Sequence, residues 1–358
     1  MTERISGEIP AWRDTPEFAP RTEREDFLFD ARDVRVWFPI RRGLLKRTVG
    51  YVKAVDGVSL AVARGETVGI VGESGCGKTT LGKTLIMLQK PTSGEIRCRL
   101  EGDPVDVATL TPQALMPFRR KVQMVFQDPY AALNPTKRIY HAFDEPLKLH
   151  GHDDKQAREA IMAEVMQLVN LPEEYLFRYP HELSGGQCQR VNIARALAIE
   201  PEVLICDEAV SALDVSVQAQ VLNLLKEIQR RRNLTYLFIA HDLSVVQYMS
   251  DRVAVMYLGN IVELADSASL YENTLHPYTQ SLLSAVPVPK LHRQKQRIIL
   301  KGDVPSPINK PAGCAFHPRC ERCMDICKRE VPPLLPITGT QHHVACHLYN
   351  KEQGDSIP

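Results

Sequence analysis

Short apolar runs separated by longer segments of helical spacing make up most of the chain. Apolar or alternating runs of strand length predict strands at residues 28–38, 55–62, 67–71, 122–126, 203–206, 237–240 and 253–257. Apolar residues that recur on one side of a helical repeat predict helices at residues 78–88, 153–170 and 215–232. A strand, a glycine-rich loop and a helix are therefore expected to follow one another between residues 67 and 88.

The two ends of the chain differ in composition from this central part. Residues 1–27 are polar and charged, which predicts a flexible tail. Many prolines interrupt residues 275–358, which predicts an appended, loop-rich module behind a main domain at residues 28–274. A basic segment at residues 39–53 predicts a solvated hairpin loop, with contact to membrane headgroups as the alternative; its charges are Arg41, Arg42, Lys46, Arg47 and Lys53.

The composition argues against several classes of protein. Of the 358 residues, 44% are hydrophobic and 24% are charged, which is typical of a globular protein. The net charge of +1 provides no field that would draw the chain to nucleic acid, so no nucleic-acid partner is expected. No apolar run approaches the about 20 residues that cross a bilayer, and the N-terminus lacks the apolar core of a signal peptide. We therefore expect a cytosolic chain that meets a membrane only through a partner.

An ordered series of motifs carries the candidate chemistry. It consists of GESGCGKTT at residues 72–80, Gln127, LSGGQ at 183–187, VLICDE at 203–208, SALD at 211–214 and His241. In the first motif, Gly72, Gly75 and Gly77 let the backbone wrap a phosphate chain, and the start of the following helix attracts anions. Lys78 adds a charge for the β- and γ-phosphates, and the Thr79 hydroxyl can bind Mg²⁺. Taken alone, this motif has a glycine-rich turn with a surface lysine as its alternative.

Two acidic residues end the apolar strand of the fourth motif. Asp207 is placed to hold Mg²⁺ through water, and Glu208 is the better general base for an attacking water. The alternative is a pair of solvated carboxylates, which an apolar strand directly before them disfavours. LSGGQ opens a predicted helix that runs through residues 190–197, and the N-terminus of a helix is an anion site.

The series, and LSGGQ above all, resembles the ATP-binding subunits of ABC transporters. The resemblance implies an α/β fold, an ABC-type P-loop nucleotide-binding domain with a RecA-like core, an antiparallel β subdomain and a helical subdomain. It implies that Gln127 senses the metal and the attacking water, that Glu208 is catalytic and that His241 contacts the γ-phosphate. The residues implied for ATP are Gly72, Glu73, Ser74, Gly75, Cys76, Gly77, Lys78, Thr79, Thr80, Ser184, Gly185, Gly186, Gln187 and Asp214, and those for Mg²⁺ are Thr79, Gln127 and Asp207.

In this family the adenine base stacks on an aromatic residue at the end of the first strand. Phe38 occupies the matching place in this chain. Trp37 and Tyr51 are neighbours that could serve instead, and a plain core role is the alternative for each of the three.

Three further stretches look like the ATPases of oligopeptide, dipeptide and nickel importers: FQDPYAALNP at residues 126–135, DEAVSALDVSVQAQVLNLL at 207–225 and HPYTQSLLSAVP at 276–287. The resemblance implies a subunit that energises import of peptides or related small solutes. Because LSGGQ faces the γ-phosphate of the opposite subunit in this family, it implies a second ATPase subunit paired head to tail. It also implies two transmembrane permease subunits and, indirectly, an extracytoplasmic solute-binding protein.

This resemblance places the chain at the cytoplasmic face of the cell membrane as a peripheral subunit. The alternative is a soluble ABC ATPase of DNA repair or translation. Such proteins usually carry two cassettes or a long coiled-coil insertion, and neither is seen in this sequence. An exporter half is disfavoured because no transmembrane domain is fused to the cassette.

Five of the nine cysteines lie between residues 314 and 346, and in a cytosolic chain such clustering favours metal over disulfides. The pattern around them resembles the Cys-rich C-terminal module of the importer ATPases. It implies a [4Fe–4S] cluster held by Cys314, Cys320, Cys327 and Cys346, with Cys323 as an addition to the pattern. A zinc site and free thiols are the alternatives, and nearby histidines could also bind a metal: His317, His342, His343 and His347.

Overall fold

The computed structural model describes residues 27–43, 46–99, 102–285 and 298–349. The strands are β1 (Phe27–Arg42), β2 (Arg47–Ala63), β3 (Thr67–Val71), β4 (Ser93–Cys98), β5 (Val105–Asp106), β6 (Val122–Val125), β7 (Val203–Asp207), β8 (Thr235–Ile239), β9 (Arg252–Tyr257), β10 (Asn260–Asp266), β11 (Leu335–Pro336) and β12 (His343–Val344). The helices are α1 (Lys78–Leu85), α2 (Leu115–Lys121), α3 (Ile139–Leu149), α4 (Lys155–Leu168), α5 (Gly185–Leu197), α6 (Val215–Arg232), α7 (Leu243–Met249), α8 (Ser267–Glu272) and α9 (Pro277–Ser284). The tail predicted at residues 1–27 lies outside the described residues except for Phe27, which begins β1.

The basic segment near the N-terminus is part of a long β-hairpin. An antiparallel sheet has the strand order β2-β1-β4-β5, and the pairing of β1 with β2 continues as far as Arg42 and Arg47. The prediction of a loop over residues 39–53 was therefore wrong in extent. Exposed strand pairs tolerate charged side chains because one face of an antiparallel sheet can point to water, so the charge run did not interrupt the ladder.

A larger sheet forms the second layer, with the order β11-β12-β10-β9-β3-β8-β7-β6. The five strands from β9 to β6 are parallel, and the others are antiparallel. Strands β3, β7 and β8 are buried at every position, as expected for parallel strands covered on both faces. Because parallel strands end at the same edge of a sheet, the segments after β3, β6, β7 and β8 are brought together there.

Helices cover both faces of this sheet. Helix α1 lies between the two sheets, where Leu81 and Leu85 share one apolar cluster with Ile96 and Ile205. On the opposite face, α5, α6 and α7 pack over the sheet in a second cluster, which continues into α3 and α4. Gly69 of β3 permits this packing, because a Cβ there would lie 2.4 Å from Val246 Cγ1 of α7.

The C-terminal segment is attached directly to the large sheet. Strand β12 pairs with β10, with Val344 opposite Glu263, and β11 pairs with β12. A small apolar cluster covers this end of the sheet and consists of Leu275, Ile337, Val344, Cys346 and Tyr349. The chain from residue 298 to 334 is otherwise irregular, with two short 3-10 turns.

A buried carboxylate holds this attachment in place. Glu263 is 0% exposed and accepts hydrogen bonds from the backbone N–H groups of Leu275 (2.7 Å) and His276 (3.1 Å). His342 Nε2 lies 2.7 Å from the same carboxylate. His276 in turn accepts a hydrogen bond from Tyr278 N at Nδ1 (3.1 Å), which caps α9. Burial lowers the pKa of His276 to about 4, although the charge of Glu263 opposes this shift.

We expect the buried His276 to make stability depend on pH. Its pKa is lower in the folded protein than the ordinary value of 6.5, so the unfolded chain binds more protons between these two values. Stability is therefore complete above pH 6.5 and falls as the pH approaches 4, by about 2 to 3 kcal/mol at pH 4.5.

The matched variant is His276→Asn, because asparagine is a good helix N-cap but does not titrate in this range. Urea unfolding at pH 7 and pH 4.5 measures the free energy of unfolding of both proteins. The wild-type protein should lose about 2 kcal/mol more than the variant between these pH values. Equal losses would show that His276 is not the titrating group.

Candidate nucleotide site

The phosphate loop, residues 72–77, joins β3 to α1 at the edge where the parallel strands end. Gly77 has a φ of 106°, and a Cβ at this residue would lie 2.0 Å from the carbonyl oxygen of Ala54 in β2. No side chain larger than hydrogen fits there without moving the backbone of β2. The glycine is thus required by close backbone approach as well as by its conformation.

Lys78 begins α1 and points back into this loop. Its Nζ donates hydrogen bonds to the carbonyl oxygens of Gly72 (2.9 Å) and Glu73 (3.2 Å), and the residue is 5% exposed. The positive charge therefore lies within the curve of the loop. The next residue, Thr79, faces the end of β7 and donates a hydrogen bond from Oγ1 to Asp207 Oδ1 (2.9 Å).

Two carboxylates stand side by side at the end of β7. Burial raises the pKa of Asp207, and the neighbouring charge of Glu208 raises it further, while the hydrogen bond from Thr79 lowers it. Glu208 Oε2 accepts a hydrogen bond from Gln127 Nε2 (2.9 Å) and lies 3.6 Å from His241 Nδ1. The structure thus brings together side chains that are far apart in sequence, and their oxygen and amide groups suit a divalent cation and water.

The backbone of Glu208 has an uncommon conformation. Its φ is 48°, in the left-handed region that non-glycine residues rarely adopt. The conformation is held by hydrogen bonds from Glu208 N to Ile239 O (2.9 Å) and from Ser211 Oγ to Glu208 O (2.9 Å). Such strain is concentrated at functional sites in proteins. The sequence contained no signal for it.

LSGGQ caps the start of α5. Ser184 Oγ accepts a hydrogen bond from Gln187 N (3.3 Å), and Gln187 Oε1 accepts one from Ser184 N (2.9 Å), which completes a capping box. A Cβ on Gly186 would lie 2.4 Å from Val217 Cγ1, so this glycine allows α5 to press against α6. Asp214 is exposed and occupies the N-cap position of α6, where its side chain makes no capping hydrogen bond.

The LSGGQ segment is not bonded to the phosphate loop of the same chain within the described residues. Among the hydrogen bonds of the described residues, none joins Ser184, Gly185 or Gly186 to residues 72–80. Ser184 is exposed, whereas Lys78 is buried. The structure therefore brings one part of the predicted site together and leaves the other part facing outward.

Side chains that the sequence did not single out connect Gln127 to α5. Tyr130 donates a hydrogen bond to Leu183 O (3.0 Å), Asn192 donates to Pro129 O (2.8 Å) and Arg195 donates to Ala132 O (2.7 Å). The stretch after Gln127 is thereby held against the helix that LSGGQ opens. Its FQDPY sequence marked the region but not these contacts.

The three aromatic residues that are candidates for stacking on adenine differ in their surroundings. Trp37 is already engaged, since its indole N–H donates to Asp56 Oδ1 (2.9 Å) and Lys53 Nζ lies 4.7 Å from its ring centroid. Phe38 is 38% exposed and Tyr51 is 45% exposed. The latter two therefore have free ring surface.

The cysteines of the C-terminal segment lie near one another. Cys314 N donates a hydrogen bond to Cys327 O (2.8 Å). Burial raises the pKa of the Cys346 thiol to about 12, with smaller contributions from Cys314, Cys320 and Cys327. Across residues 27–43, 46–99, 102–285 and 298–349, however, no three His, Cys, Asp or Glu side chains are arranged so that they could hold a metal ion.

Comparison with known proteins agrees with this geometry. Residues 55–211 match the family described as ABC transporter, and residues 262–327 match the oligopeptide/dipeptide transporter C-terminal region. The oligopeptide transport ATP-binding protein AppF of Bacillus subtilis (strain 168) is 51% identical over 91% of this chain and 98% of its own length. The chain belongs to the ATP-binding subunits of the oligopeptide/dipeptide ABC transporter family. It is therefore an ATP-hydrolysing subunit of the ABC type with the expected P-loop α/β fold.

Solved structures of ATP-binding cassettes share this fold. The ATP-binding cassette MJ0796, a dimer bound to ADP and Pi, is 27% identical over 67% of this chain and 98% of its own, with a TM-score of 0.58. The cbiO1 protein of Clostridium perfringens, part of the transporter complex cbiONQ, is 26% identical over 70% of this chain and 92% of its own, also with a TM-score of 0.58. Within the described part of the chain, no helix is long and apolar enough to cross a membrane.

A methyl group at Gly77 should disrupt the loop more than one at Gly75. Both glycines have positive φ values, of 106° and 79°, but a Cβ on Gly75 would meet nothing within 4 Å. Gly75→Ala should lower the free energy of unfolding by about 1 kcal/mol from conformational strain alone. Gly77→Ala adds a clash with the backbone of β2 and should cost about 2 kcal/mol more. Urea unfolding of the two variants measures the difference, and equal losses would contradict the close contact with Ala54.

Proposed function

We propose that this chain hydrolyses ATP to energise the import of peptides or related small solutes, as one of two nucleotide-binding subunits that pair head to tail. One observation carries the proposal. The phosphate loop, the two carboxylates, Gln127 and His241 converge at one edge of the sheet, while the LSGGQ helix start has an exposed Ser184 and makes no hydrogen bond to the loop among the described residues. Each chain therefore supplies two half-sites: the phosphate-loop half of one ATP site and the LSGGQ half of the other.

The residues of the loop have distinct roles in this proposal. The backbone of residues 72–80 wraps the phosphates, and Lys78 supplies a positive charge within the loop. The Thr79 hydroxyl and the Asp207 carboxylate are hard oxygen ligands 2.9 Å apart, which suits Mg²⁺. When bound, the metal neutralises charge on the phosphates.

Glu208 acts as the general base toward water. Its carboxylate already accepts a hydrogen bond from Gln127, which orients it, and His241 lies on its other side at 3.6 Å. Proton transfer from water to this carboxylate leaves a nucleophile aimed at the γ-phosphate. His241 is 59% exposed as a side chain, so its ring can turn to contact that phosphate.

The second half of each site comes from the partner subunit. Ser184, Gly185, Gly186 and Gln187 open α5, and the start of a helix attracts a phosphate through its free N–H groups. Asp214 lies at the same interface between the two subunits. The dimeric arrangement of MJ0796 supports this pairing.

Transport follows from the family. The name of AppF refers to oligopeptide transport, and the match over residues 262–327 is to a transporter region. We infer two transmembrane permease subunits as partners, a solute-binding protein on the far side, and a position at the cytoplasmic face of the membrane. We also propose an ATPase domain at residues 28–274 and a C-terminal module at residues 275–358.

Phe38 is the proposed adenine contact, because its ring has free surface.

A [4Fe–4S] cluster on Cys314, Cys320, Cys327 and Cys346 completes the proposal. Cys314, Cys320 and Cys327 each contribute to raising the pKa of Cys346, so the four thiols lie near one another. Four thiolates are the ligand set that a [4Fe–4S] cluster requires. Its role is structural, since nothing in the hydrolysis of ATP requires an electron.

A variant that binds ATP without hydrolysing it tests the function directly. Glu208→Gln keeps the hydrogen bond to Gln127 but accepts no proton, so ATP should bind and turnover should fall about 10²-fold or more. Light scattering of the purified chain with ATP should show a dimer of this variant. Adding Ser184→Arg places bulk where the partner's phosphate docks, and the double variant should bind ATP but remain a monomer. Dimers of the double variant would contradict the head-to-tail site, and normal turnover of Glu208→Gln would remove its catalytic role.

Metal analysis tests the cluster. Protein purified without oxygen should be brown, absorb broadly near about 400 nm and contain about four irons per chain. Serine at Cys314, Cys320, Cys327 or Cys346 should abolish the colour, and Cys323→Ser is the matched control that should keep it. Colourless protein with one zinc would favour a Cys₄ zinc site, and loss of iron in Cys323→Ser alone would overturn the four-residue assignment.

A further inference from the structure

The cysteine-containing segment contacts the phosphate loop through one arginine. Arg319 donates hydrogen bonds from Nη1 to Glu73 Oε2 (2.8 Å) and from Nη2 to Glu73 Oε1 (3.1 Å). This is a two-pronged pairing of a guanidinium with a carboxylate, which is directional as well as strong. The Arg319 side chain is 8% exposed and that of Glu73 is 25% exposed, so water screens the pair only in part.

The surroundings of Arg319 hold it in this position. It ends a 3-10 turn, His317–Arg319, that lies between Cys314 and Cys320. Phe316 of the same segment packs edge-on against the ring of Tyr257 (5.3 Å between centroids) and also contacts Tyr278 (5.5 Å). The turn is thereby seated on β9 and α9 by aromatic contacts.

Glu73 is held at its backbone as well as at its side chain. Its N–H donates a hydrogen bond to Tyr278 Oη (2.8 Å), and its carbonyl oxygen accepts one from Lys78 Nζ (3.2 Å). The carboxylate of Glu73 is therefore carried by a residue whose backbone contacts Lys78. A negative charge at this place would repel the phosphates of a nucleotide unless a cation neutralised it.

We propose that Arg319 is a positioning residue for ATP binding: it neutralises Glu73 and holds the phosphate loop in shape, so that the cysteine-containing segment sets the nucleotide affinity of the cassette. The proposal rests on the proposed role of residues 72–80 in binding ATP. Nucleotide affinity then depends on a contact from the C-terminal segment, which lies outside the cassette motifs. By linkage, ATP must stabilise the segment to the same degree that the segment favours ATP.

A double-mutant cycle on the full-length chain separates charge from packing. Arg319→Met removes the cation but keeps an unbranched apolar stem, and Glu73→Gln removes the anion. Arg329→Met is the matched control, because Arg329 is an exposed arginine of the same segment. Equilibrium binding of ATP is measured by titration calorimetry for the wild type, the three single variants and the Arg319→Met/Glu73→Gln double variant.

Neutralisation of Glu73 by Arg319 predicts a specific order of ATP affinities among the variants. Arg319→Met should weaken ATP binding about tenfold, which corresponds to about 1.4 kcal/mol. Glu73→Gln alone should tighten binding, and in the double variant it should recover most of the loss. Arg329→Met should bind ATP as the wild type does. Equal affinity of Arg319→Met and Arg329→Met would overturn the proposal, as would a double variant no better than Arg319→Met.

Hydrogen exchange gives a second measurement that uses only the wild type and Glu73→Gln. It therefore does not depend on how well an Arg319 variant folds. ATP should slow exchange of the amides at residues 314–330 in the wild type, and the slowing should be smaller in Glu73→Gln. Identical protection by ATP in the two proteins would also overturn the proposal. Absence of ATP binding to the wild-type chain would instead contradict the proposed function, so the two failures are distinguishable.

Discussion

Close backbone contact between the phosphate loop and its neighbouring strands is the constraint on which the rest of the site depends. A Cβ at Gly77 would collide with Ala54 O of β2, and one at Gly72 would lie 2.2 Å from Met256 O of β9. Gly259 N also donates a hydrogen bond to Cys76 O (2.8 Å). These contacts press the loop against both sheets, and this position lets Lys78 curl inward and Thr79 reach Asp207.

The same edge of the sheet connects the carboxylate of Glu208 to the start of α5. Gln127 contacts Glu208 directly, and the residues after Gln127 are bonded to the start and body of α5. Glu208 is therefore connected to LSGGQ through the side chain of Gln127, the backbone from Gln127 to Tyr130 and the hydrogen bond from Tyr130 to Leu183 O. In the head-to-tail dimer that we propose, this connection joins each ATP site to the surface that completes the other.

The C-terminal segment braces the nucleotide site from two sides. Lys310 donates hydrogen bonds to Asp56 (2.9 Å) and Asn260 (3.1 Å), and Asp56 also accepts one from Trp37 beside the proposed adenine contact. Burial would raise the pKa of Asp56, but its bonds to Lys310 and Trp37 outweigh burial and lower it. Together with Arg319 on the phosphate loop, these contacts make the segment part of the cassette's architecture. Its apolar cluster around Val344 and the buried Glu263 anchor it to the large sheet.

The sequence by itself determined the elements whose cause is local. The strand at 67–71 and the helix at 215–232 were predicted to the residue, because apolar periodicity and flanking turn residues act over short distances. The order of motifs was enough to indicate a phosphate loop, two carboxylates and an LSGGQ helix. Only the tertiary structure decided what depends on residues far apart in the chain. The hairpin at 39–53 continued as strands because pairing across the ladder outweighed local charge. The left-handed backbone of Glu208, the bonds of Tyr130 and Arg195, and the pairing of Arg319 with Glu73 across 246 positions have no local pattern, because each is set by how two distant elements pack.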